Sequence, residues 1–167
     1  MRAEMRAEQI ASLIDHTYLK PDATKEIIGR LCDEALAYGF HSVCVNGVWV
    51  SYCAERLAGS PVKVAATVGF PLGACAAAVK AFEAETAVKE GAAEIDMVLP
   101  IGRLLEGDWE TVRADIRAVT EAVSGRAAVK VILETGFLNG EQKRIACRLA
   151  EEAGAHFVKT STGFGPG

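Results

Sequence analysis

The run Val62-Lys-Val-Ala-Ala-Thr-Val68 carries apolar residues on both faces of an extended chain, and Val43-Cys-Val45 does the same upstream. Short β-branched runs of this kind are typical of strands. A strand that is apolar on both faces is covered on both sides, as in a barrel or a doubly wound sheet. The two runs therefore predict a parallel sheet that is buried between other layers.

Similar runs alternate with longer amphipathic stretches along the whole chain, which is the pattern of βα units around a parallel sheet. Six strands are predicted, at residues 13–19, 42–46, 62–70, 94–100, 128–135 and 157–162. Four helices are predicted between them, at residues 26–38, 76–90, 108–123 and 139–153. Several of these helices run into glycines where left-handed C-caps are expected, namely Gly39, Gly91, Gly125 and Gly154.

The βα units are evenly spaced, because five of them separate Asp15 from Lys159 at about 29 residues each. No glycine-rich dinucleotide turn follows the first strand, which removes the usual sign of a Rossmann domain. We therefore predict a TIM (β/α)8-type barrel of the α/β class, with only about six βα units in this chain. Residues 1–167 are predicted to form a single, incomplete barrel domain, with residues 1–10 as an N-terminal helical extension.

The composition excludes several classes of protein. Half of the 167 residues are hydrophobic (50%), yet no run reaches the roughly 18 apolar residues of a membrane span. The net charge of −4 comes without a basic cluster, which argues against nucleic acid as a partner. Five cysteines form no Cys-x-x-Cys pair and the three histidines do not cluster with them, so we expect a cytoplasmic protein with reduced thiols and no metal site.

Three charged residues, Asp96, Lys130 and Lys159, lie inside successive predicted strands. Each alone has an ordinary explanation, as a strand-end charge that reaches water or as part of a structural ion pair. Burial or a second ammonium group would lower the pKa of a lysine, whereas a carboxylate would raise it. A lysine in its neutral form can attack a carbonyl group and form a Schiff base. Lys159, whose strand opens into a glycine loop, is the candidate nucleophile.

Six motifs together resemble the deoxyribose-phosphate aldolase family in their order and spacing: Leu13-Ile-Asp-His-Thr17, Val43-Cys-Val45, Val68-Gly-Phe-Pro-Leu-Gly73, Glu94-Ile-Asp-Met-Val98, Val129-Lys-Val-Ile-Leu-Glu-Thr135 and Lys159-Thr-Ser-Thr-Gly-Phe164. The resemblance covers nearly the whole chain. It implies a class I aldolase on a TIM barrel. Such an enzyme reversibly cleaves 2-deoxy-D-ribose 5-phosphate to D-glyceraldehyde 3-phosphate and acetaldehyde through a lysine Schiff base, without a metal or cofactor.

The resemblance also implies roles for the three charged strand residues. Lys159 matches the Schiff-base lysine, which holds the two-carbon fragment as an iminium and then as an enamine. Asp96 matches the carboxylate that moves protons through ordered water during dehydration and carbon–carbon cleavage. Lys130 matches a lysine near the substrate that modulates charge and orders Asp96.

Four further residues match the substrate-binding part of the family's site. Asp15 and Thr17 match residues of the first strand that approach the substrate hydroxyl region. Cys44 matches a cysteine that lines the pocket, although a small buried hydrophobe explains it equally well. Gly163 is expected to offer its backbone N–H to the phosphate, and an ordinary turn is the alternative.

The sequence ends at Gly167, whereas the family carries a second essential lysine in a seventh strand and most of its phosphate-binding loops after strands seven and eight. The resemblance therefore predicts truncation before the last two barrel strands. Two functions stay open: the aldolase, and a non-catalytic phosphosugar-binding or assembly fragment of such a barrel. Another phosphosugar aldolase or isomerase on this barrel is a third. We expect phosphosugar and aldehyde substrates and no nucleic-acid or membrane partner. A homodimer is one oligomeric state that the sequence leaves open.

Overall fold

Six parallel strands form one sheet in the order β1 to β6, so that each strand pairs with its neighbour in the chain. The computed structural model describes residues 6–166. Its strands are β1 Asp15–Tyr18, β2 Ser42–Val45, β3 Lys63–Val68, β4 Glu94–Val98, β5 Ala128–Ile132 and β6 Phe157–Lys159. All six predicted strands are confirmed. Each one ends one to three residues earlier than predicted, where the chain leaves the sheet to form a loop.

The strand order decides between the two parallel architectures that were considered for this sequence. A doubly wound sheet reverses its strand order at a switch point, whereas the strands of a barrel follow one another around a circle. The order here is sequential, with helices between successive strands. The prediction of a TIM-type barrel with about six βα units is therefore confirmed, and β1 and β6 are the edges of this sheet.

Seven α-helices lie within residues 6–166: α1 Ala7–Ala11, α2 Lys25–Tyr38, α3 Val50–Arg56, α4 Ala77–Lys89, α5 Ile101–Glu106, α6 Trp109–Ala122 and α7 Gly140–Glu152. The four predicted helices correspond to α2, α4, α6 and α7. Helices α3 and α5 were not predicted, because seven and six residues give too little periodicity to recognise. Of the predicted N-terminal extension, residues 1–5 lie outside the described part of the chain. Over residues 6–166, none of the helices combines the length and hydrophobicity that a membrane span requires.

The strands separate an apolar layer from a polar one. Side chains alternate between the two faces of a strand, so Val43 and Val45 of β2 pack in the hydrophobic core with the helices, as do Ile95 and Met97 of β4. The residues between them in sequence face the inside of the curved sheet. That inner face carries Asp15, Ser42, Cys44, Glu94, Asp96, Lys130 and Lys159.

A buried ion pair joins helix α4 to helix α6 and to the end of β4. Lys80 is fully buried, and its Nζ lies 2.7 Å from Oδ2 of Asp115 and 2.9 Å from the carbonyl oxygen of Val98. Burial raises the pKa of the Asp115 carboxyl more than the neighbouring Lys80 lowers it. The pair carries a desolvation cost, and each charge depends on the other to offset it.

Lys80→Met is expected to lower the free energy of unfolding by about 3–5 kcal/mol, because it leaves the Asp115 carboxylate buried without its cation. Lys89→Met in the same helix should change stability little, since the ion pair of Lys89 with Glu85 is exposed to solvent. Urea unfolding followed by circular dichroism measures both effects.

The double variant Lys80→Met/Asp115→Leu separates charge from packing. It should recover most of the stability lost in Lys80→Met, because both charges are replaced by apolar groups. A double variant that is as unstable as Lys80→Met would contradict the electrostatic explanation.

Candidate active site

The inner face of β4, β5 and β6 brings the three predicted charged residues together. Asp96 is fully buried in β4 and lies opposite Lys130 in the register of β4 with β5. Lys159 donates a hydrogen bond from Nζ to Oδ2 of Asp96. The Nζ atom of Lys130 lies 3.5 Å from Oδ1 of the same carboxylate. The predicted arrangement of one carboxylate between two ammonium groups is therefore present.

Two more carboxylates enclose Lys130. Its Nζ lies 2.7 Å from Oδ2 of Asp15 and 2.6 Å from Oε2 of Glu94. Asp15 is also 3.6 Å from Nζ of Lys159 and accepts a hydrogen bond of 2.8 Å from Oγ of Ser42. Strands β1 and β6 are the two edges of the sheet, so the contact of Asp15 with Lys159 links the first strand to the last.

The carboxylates decide the protonation of both lysines. Burial lowers the pKa of Lys159, but the nearby Asp96 and Asp15 carboxylates outweigh burial, so the pKa is raised above the usual value. The same balance raises the pKa of Lys130, with Asp96, Asp15 and Glu94 opposing burial. The sequence left open whether burial or a carboxylate would dominate the pKa of the lysine, and the carboxylates dominate. Among residues 6–166, the contacts of Lys159 favour its charged form.

The acidic partners respond in the opposite direction. Burial raises the pKa of Asp15, but hydrogen bonds from Lys130 and Ser42 outweigh it, and the net shift is downward. Glu94 behaves in the same way, since its hydrogen bonds from Lys130 and His41 outweigh burial and lower its pKa. Asp15 and Glu94 are thus stabilised as carboxylates, and Lys130 and Lys159 as ammonium groups, at neutral pH.

The remaining predicted residues lie at different distances from this cluster. Cys44 is buried with its Sγ 3.7 Å from Oδ2 of Asp96, and burial together with that carboxylate raises the pKa of its thiol. A thiol with a raised pKa is a poor nucleophile. Thr17 is exposed, and its Oγ1 donates to the Asp15 carbonyl oxygen at 2.8 Å. Gly163 lies apart from the cluster, in the exposed loop that follows β6.

Sequence reasoning missed Glu94, His41 and Lys63. Glu94 accepts hydrogen bonds from Nε2 of His41 at 2.8 Å and from Nζ of Lys63 at 3.1 Å. The spacing of Glu94 and Asp96 contained a usable signal, because residues two apart in a strand share a face. His41 precedes β2 and is brought to Glu94 only by the curvature of the sheet.

The ligand atoms of Asp15, His41 and Glu94 lie within 4.8 Å of one another, which is close enough to hold a metal ion. The ammonium group of Lys130 already contacts both carboxylates of this group. A divalent cation would be repelled by that ammonium. The donor set therefore fits an internal lysine better than a metal.

A cavity of about 330 Å³ lies beside the cluster. Its lining includes the charged groups of Asp15, Glu94, Lys130 and Lys159 and the apolar side chains of Leu13, Phe157 and Val158. This volume is at the lower end of the range for small-molecule sites. A larger groove of about 890 Å³ lies against the outer helix α4 and contains neither lysine.

The comparisons with known proteins agree with this geometry. The family described as DeoC/LacD family aldolase matches residues 9–166. Deoxyribose-phosphate aldolase 1 of Bacillus licheniformis is 58% identical over 160 residues, which cover 96% of this chain and 72% of the relative. Deoxyribose-phosphate aldolase of Clostridium kluyveri is 54% identical over 160 residues, which cover 96% of this chain and 73% of the relative.

Solved structures show the same similarity in three dimensions. A Coccidioides immitis crystal structure superposes with a TM-score of 0.93 at 42% identity, over 96% of this chain and 63% of the other. The tetrameric deoxyribose phosphate aldolase of Aeropyrum pernix gives a TM-score of 0.87 at 35% identity, over 95% of this chain and 67% of the other. The relatives are longer than this sequence. A match that spans nearly the whole chain, in sequence and in structure, shows that the chain belongs to the DeoC/LacD family of aldolases.

Proposed function

We propose that this chain carries the class I aldolase chemistry that cleaves 2-deoxy-D-ribose 5-phosphate to D-glyceraldehyde 3-phosphate and acetaldehyde. The observation that carries the proposal is the Lys159 amine, which is held inside the sheet against the buried Asp96 carboxylate. The reaction needs a nucleophilic amine and a group that transfers protons. The relatives from Bacillus licheniformis and Clostridium kluyveri carry the name of this activity.

In the first half of the proposed reaction, Lys159 forms an iminium. Its neutral Nζ attacks the C1 aldehyde carbon of the open-chain sugar, a C–N bond forms, and the carbonyl oxygen takes up a proton. Loss of this oxygen as water gives the iminium, whose positive nitrogen withdraws electrons. Removal of the proton from the C3 hydroxyl then breaks the C2–C3 bond. The bonding electrons form an enamine, and D-glyceraldehyde 3-phosphate leaves.

In the second half, C2 of the enamine takes up a proton and water adds to the restored iminium. The C–N bond then breaks, which releases acetaldehyde and returns the neutral amine. We assign the proton transfers to Asp96, acting through water, because its carboxylate is in direct contact with the reacting nitrogen. A positioned group of this kind contributes about 10² to 10⁴ in rate.

Lys130 and Asp15 are proposed to position these groups. Lys130 lies 3.5 Å from Oδ1 of Asp96, and Asp15 lies 3.6 Å from Nζ of Lys159. Thr17 and Cys44, on the same face, are proposed to contact the substrate, with Cys44 as an uncharged pocket wall. Gly163 is proposed to offer its N–H to the phosphate.

The proposed partners are small phosphosugars and aldehydes, and a single barrel domain is proposed to bind them as substrates. Among residues 6–166 all five cysteines are free thiols, which supports a reducing, cytoplasmic setting. Assembly of this chain with copies of itself, as a homodimer, is a proposal that the tetramer named for the Aeropyrum pernix relative makes reasonable.

Treatment with acetaldehyde and borohydride should place an N-ethyl group on Lys159, because hydride reduces the imine to a stable secondary amine. Peptide mass spectrometry identifies the labelled residue. Lys159→Arg should abolish the labelling, since a guanidinium group stays protonated and does not form the imine. Lys89→Arg, at an exposed position of α4, is the matched control and should be labelled normally at Lys159.

Absence of labelling, under conditions that label a longer relative, would reject catalysis by this chain and favour the phosphosugar-binding alternative. Labelling that survives in Lys159→Arg would show that another lysine is the nucleophile.

The rate of this labelling should rise with pH, because only the neutral amine attacks and the carboxylates keep the pKa of Lys159 above its usual value. Asp96→Asn removes the nearest anion, so the pKa of Lys159 should fall and the rise should move to lower pH. The maximum rate of Asp96→Asn should also fall, because the proton-transfer group is lost. Trapping rates measured across the range from neutral to strongly alkaline pH test both effects.

Asp33→Asn, at an exposed site, controls for the loss of one charge and should leave the pH profile in place. An Asp96→Asn profile that coincides with the unmodified chain would show that Asp96 does not set the protonation of Lys159.

A further inference from the structure

Glu134 is a buried acid just beyond the end of β5, and its backbone is in an unusual conformation. Its φ of 51° makes it the one non-glycine residue with positive φ within residues 6–166. This left-handed region is uncommon for a side chain of this type. Only 2% of Glu134 is exposed, and none of the basic side chains in residues 6–166 forms an ion pair with it. A strained, buried and unpaired carboxylate persists only where the surroundings hold it.

The carboxylate of Glu134 holds the loop that follows Lys159, here called the β6 loop (residues 160–166). Both carboxylate oxygens lie 3.3 Å from the backbone N of Thr162, and Oγ1 of Thr162 donates a hydrogen bond to Oε2. Oγ1 of Thr162 in turn accepts a hydrogen bond of 3.0 Å from the backbone N of Phe164. One buried acid therefore holds Thr162 directly and Phe164 through the Thr162 hydroxyl.

The backbone after β5 packs against the same loop. The N–H of Thr135 donates to the Thr160 carbonyl oxygen at 2.8 Å. A Cβ at Gly165 would lie 2.7 Å from the carboxyl carbon of Glu134, and a Cβ at Gly136 would overlap the carbonyl oxygen of Pro166. Side chains are excluded at both glycines, because the two segments are in direct contact.

These contacts leave the Gly163 amide of the loop free. The N–H groups of Thr162 and Phe164 are used inside the protein, whereas the N–H of Gly163 has no acceptor within residues 6–166. Gly163 has a φ of 83°, and no atom beyond its own residue and its two chain neighbours lies within 4 Å of the position that its Cβ would take. The loop thus presents an unpaired donor next to open space, four residues after Lys159.

We propose that Glu134 is a positioning residue, which holds the β6 loop so that the Gly163 N–H binds the phosphate group of the substrate. This inference rests on the proposed function for the identity of the substrate. Glu134 itself does not contact the phosphate, because its carboxylate is already occupied by Thr162 and would repel the anion at close range. It acts through the conformation of the loop.

Titration with inorganic phosphate, followed by the backbone amide signal of Gly163 in NMR, tests this inference without any Schiff-base chemistry. The signal should shift on titration in the unmodified chain and in Glu141→Gln, an exposed position of α7 that matches the chemical change. It should fail to shift in Glu134→Gln, because an amide accepts through one oxygen only and presents N–H to a second donor. An unmodified chain that does not respond, or a Glu134→Gln variant that responds equally, overturns the proposal.

A second pair of variants covers the case in which Glu134→Gln does not fold. Thr162→Val removes the hydroxyl donor and should abolish the phosphate response, whereas Thr162→Ser retains the hydroxyl and should restore it. Equal responses in the two variants would contradict the proposal.

Borohydride trapping then separates this inference from the proposed function. Glu134→Gln should raise the half-maximal concentration of 2-deoxy-D-ribose 5-phosphate by about tenfold, the effect of one lost charge-assisted contact. The half-maximal concentration of acetaldehyde, which has no phosphate, should stay within about twofold of the unmodified value. A parallel loss for both ligands would assign Glu134 a merely structural role. Failure of the unmodified chain to trap either ligand would reject the proposed function, while the phosphate titration would still decide the role of Glu134.

Discussion

The ammonium of Lys130, enclosed by Asp15, Glu94 and Asp96, is the interaction on which the polar interior of this barrel depends. It joins strands β1, β4 and β5, although β1 and β5 are not neighbours in the sheet. Each carboxylate would be expensive to bury alone. The three carboxylates are tolerated in the interior because they form ion pairs with three ammonium groups, those of Lys63, Lys130 and Lys159.

This balance of charges also bears on the proposed chemistry. Asp96 is close enough to Lys159 to transfer protons, and for the same reason it stabilises the charged amine. Stabilisation of the ammonium opposes nucleophilic attack, whereas stabilisation of the iminium that follows supports catalysis. Anything that draws the Asp96 carboxylate away from Lys159 would favour the neutral amine. In the proposed reaction, the position of one buried carboxylate therefore links the protonation state of Lys159 to each later step.

Much of the fold could be predicted, because its signals are local. The runs at Val43 and Val64 are apolar on both faces, and this pattern identified buried parallel strands before any contact was known. The short helices α3 and α5 escaped prediction because their length is under two turns. The charged cluster was predicted in part: Asp96, Lys130 and Lys159 were recognised because a charge in an apolar strand is conspicuous, and the structure brings these three residues together. His41 and Lys63 were not recognised, because charged residues near strand ends are common in any sequence. Only the curved sheet brings these two residues into contact with Glu94.

The amino-acid sequence by itself determined the βα repeat and the membership of an aldolase family, and it singled out Lys159 as the proposed reactive lysine, since each of these depends on residue type and spacing along the chain. Only the tertiary structure decided the protonation of Lys159 and the role open to Glu134. A pKa depends on the distances between charges. Burial lowers the pKa of Lys159, whereas the carboxylates of Asp15 in β1 and Asp96 in β4 raise it. The curvature of the sheet sets how close these carboxylates lie to the amine. Likewise, the carboxylate of Glu134 becomes informative only when the chain brings Thr162 to it, because two residues 28 positions apart share no local pattern.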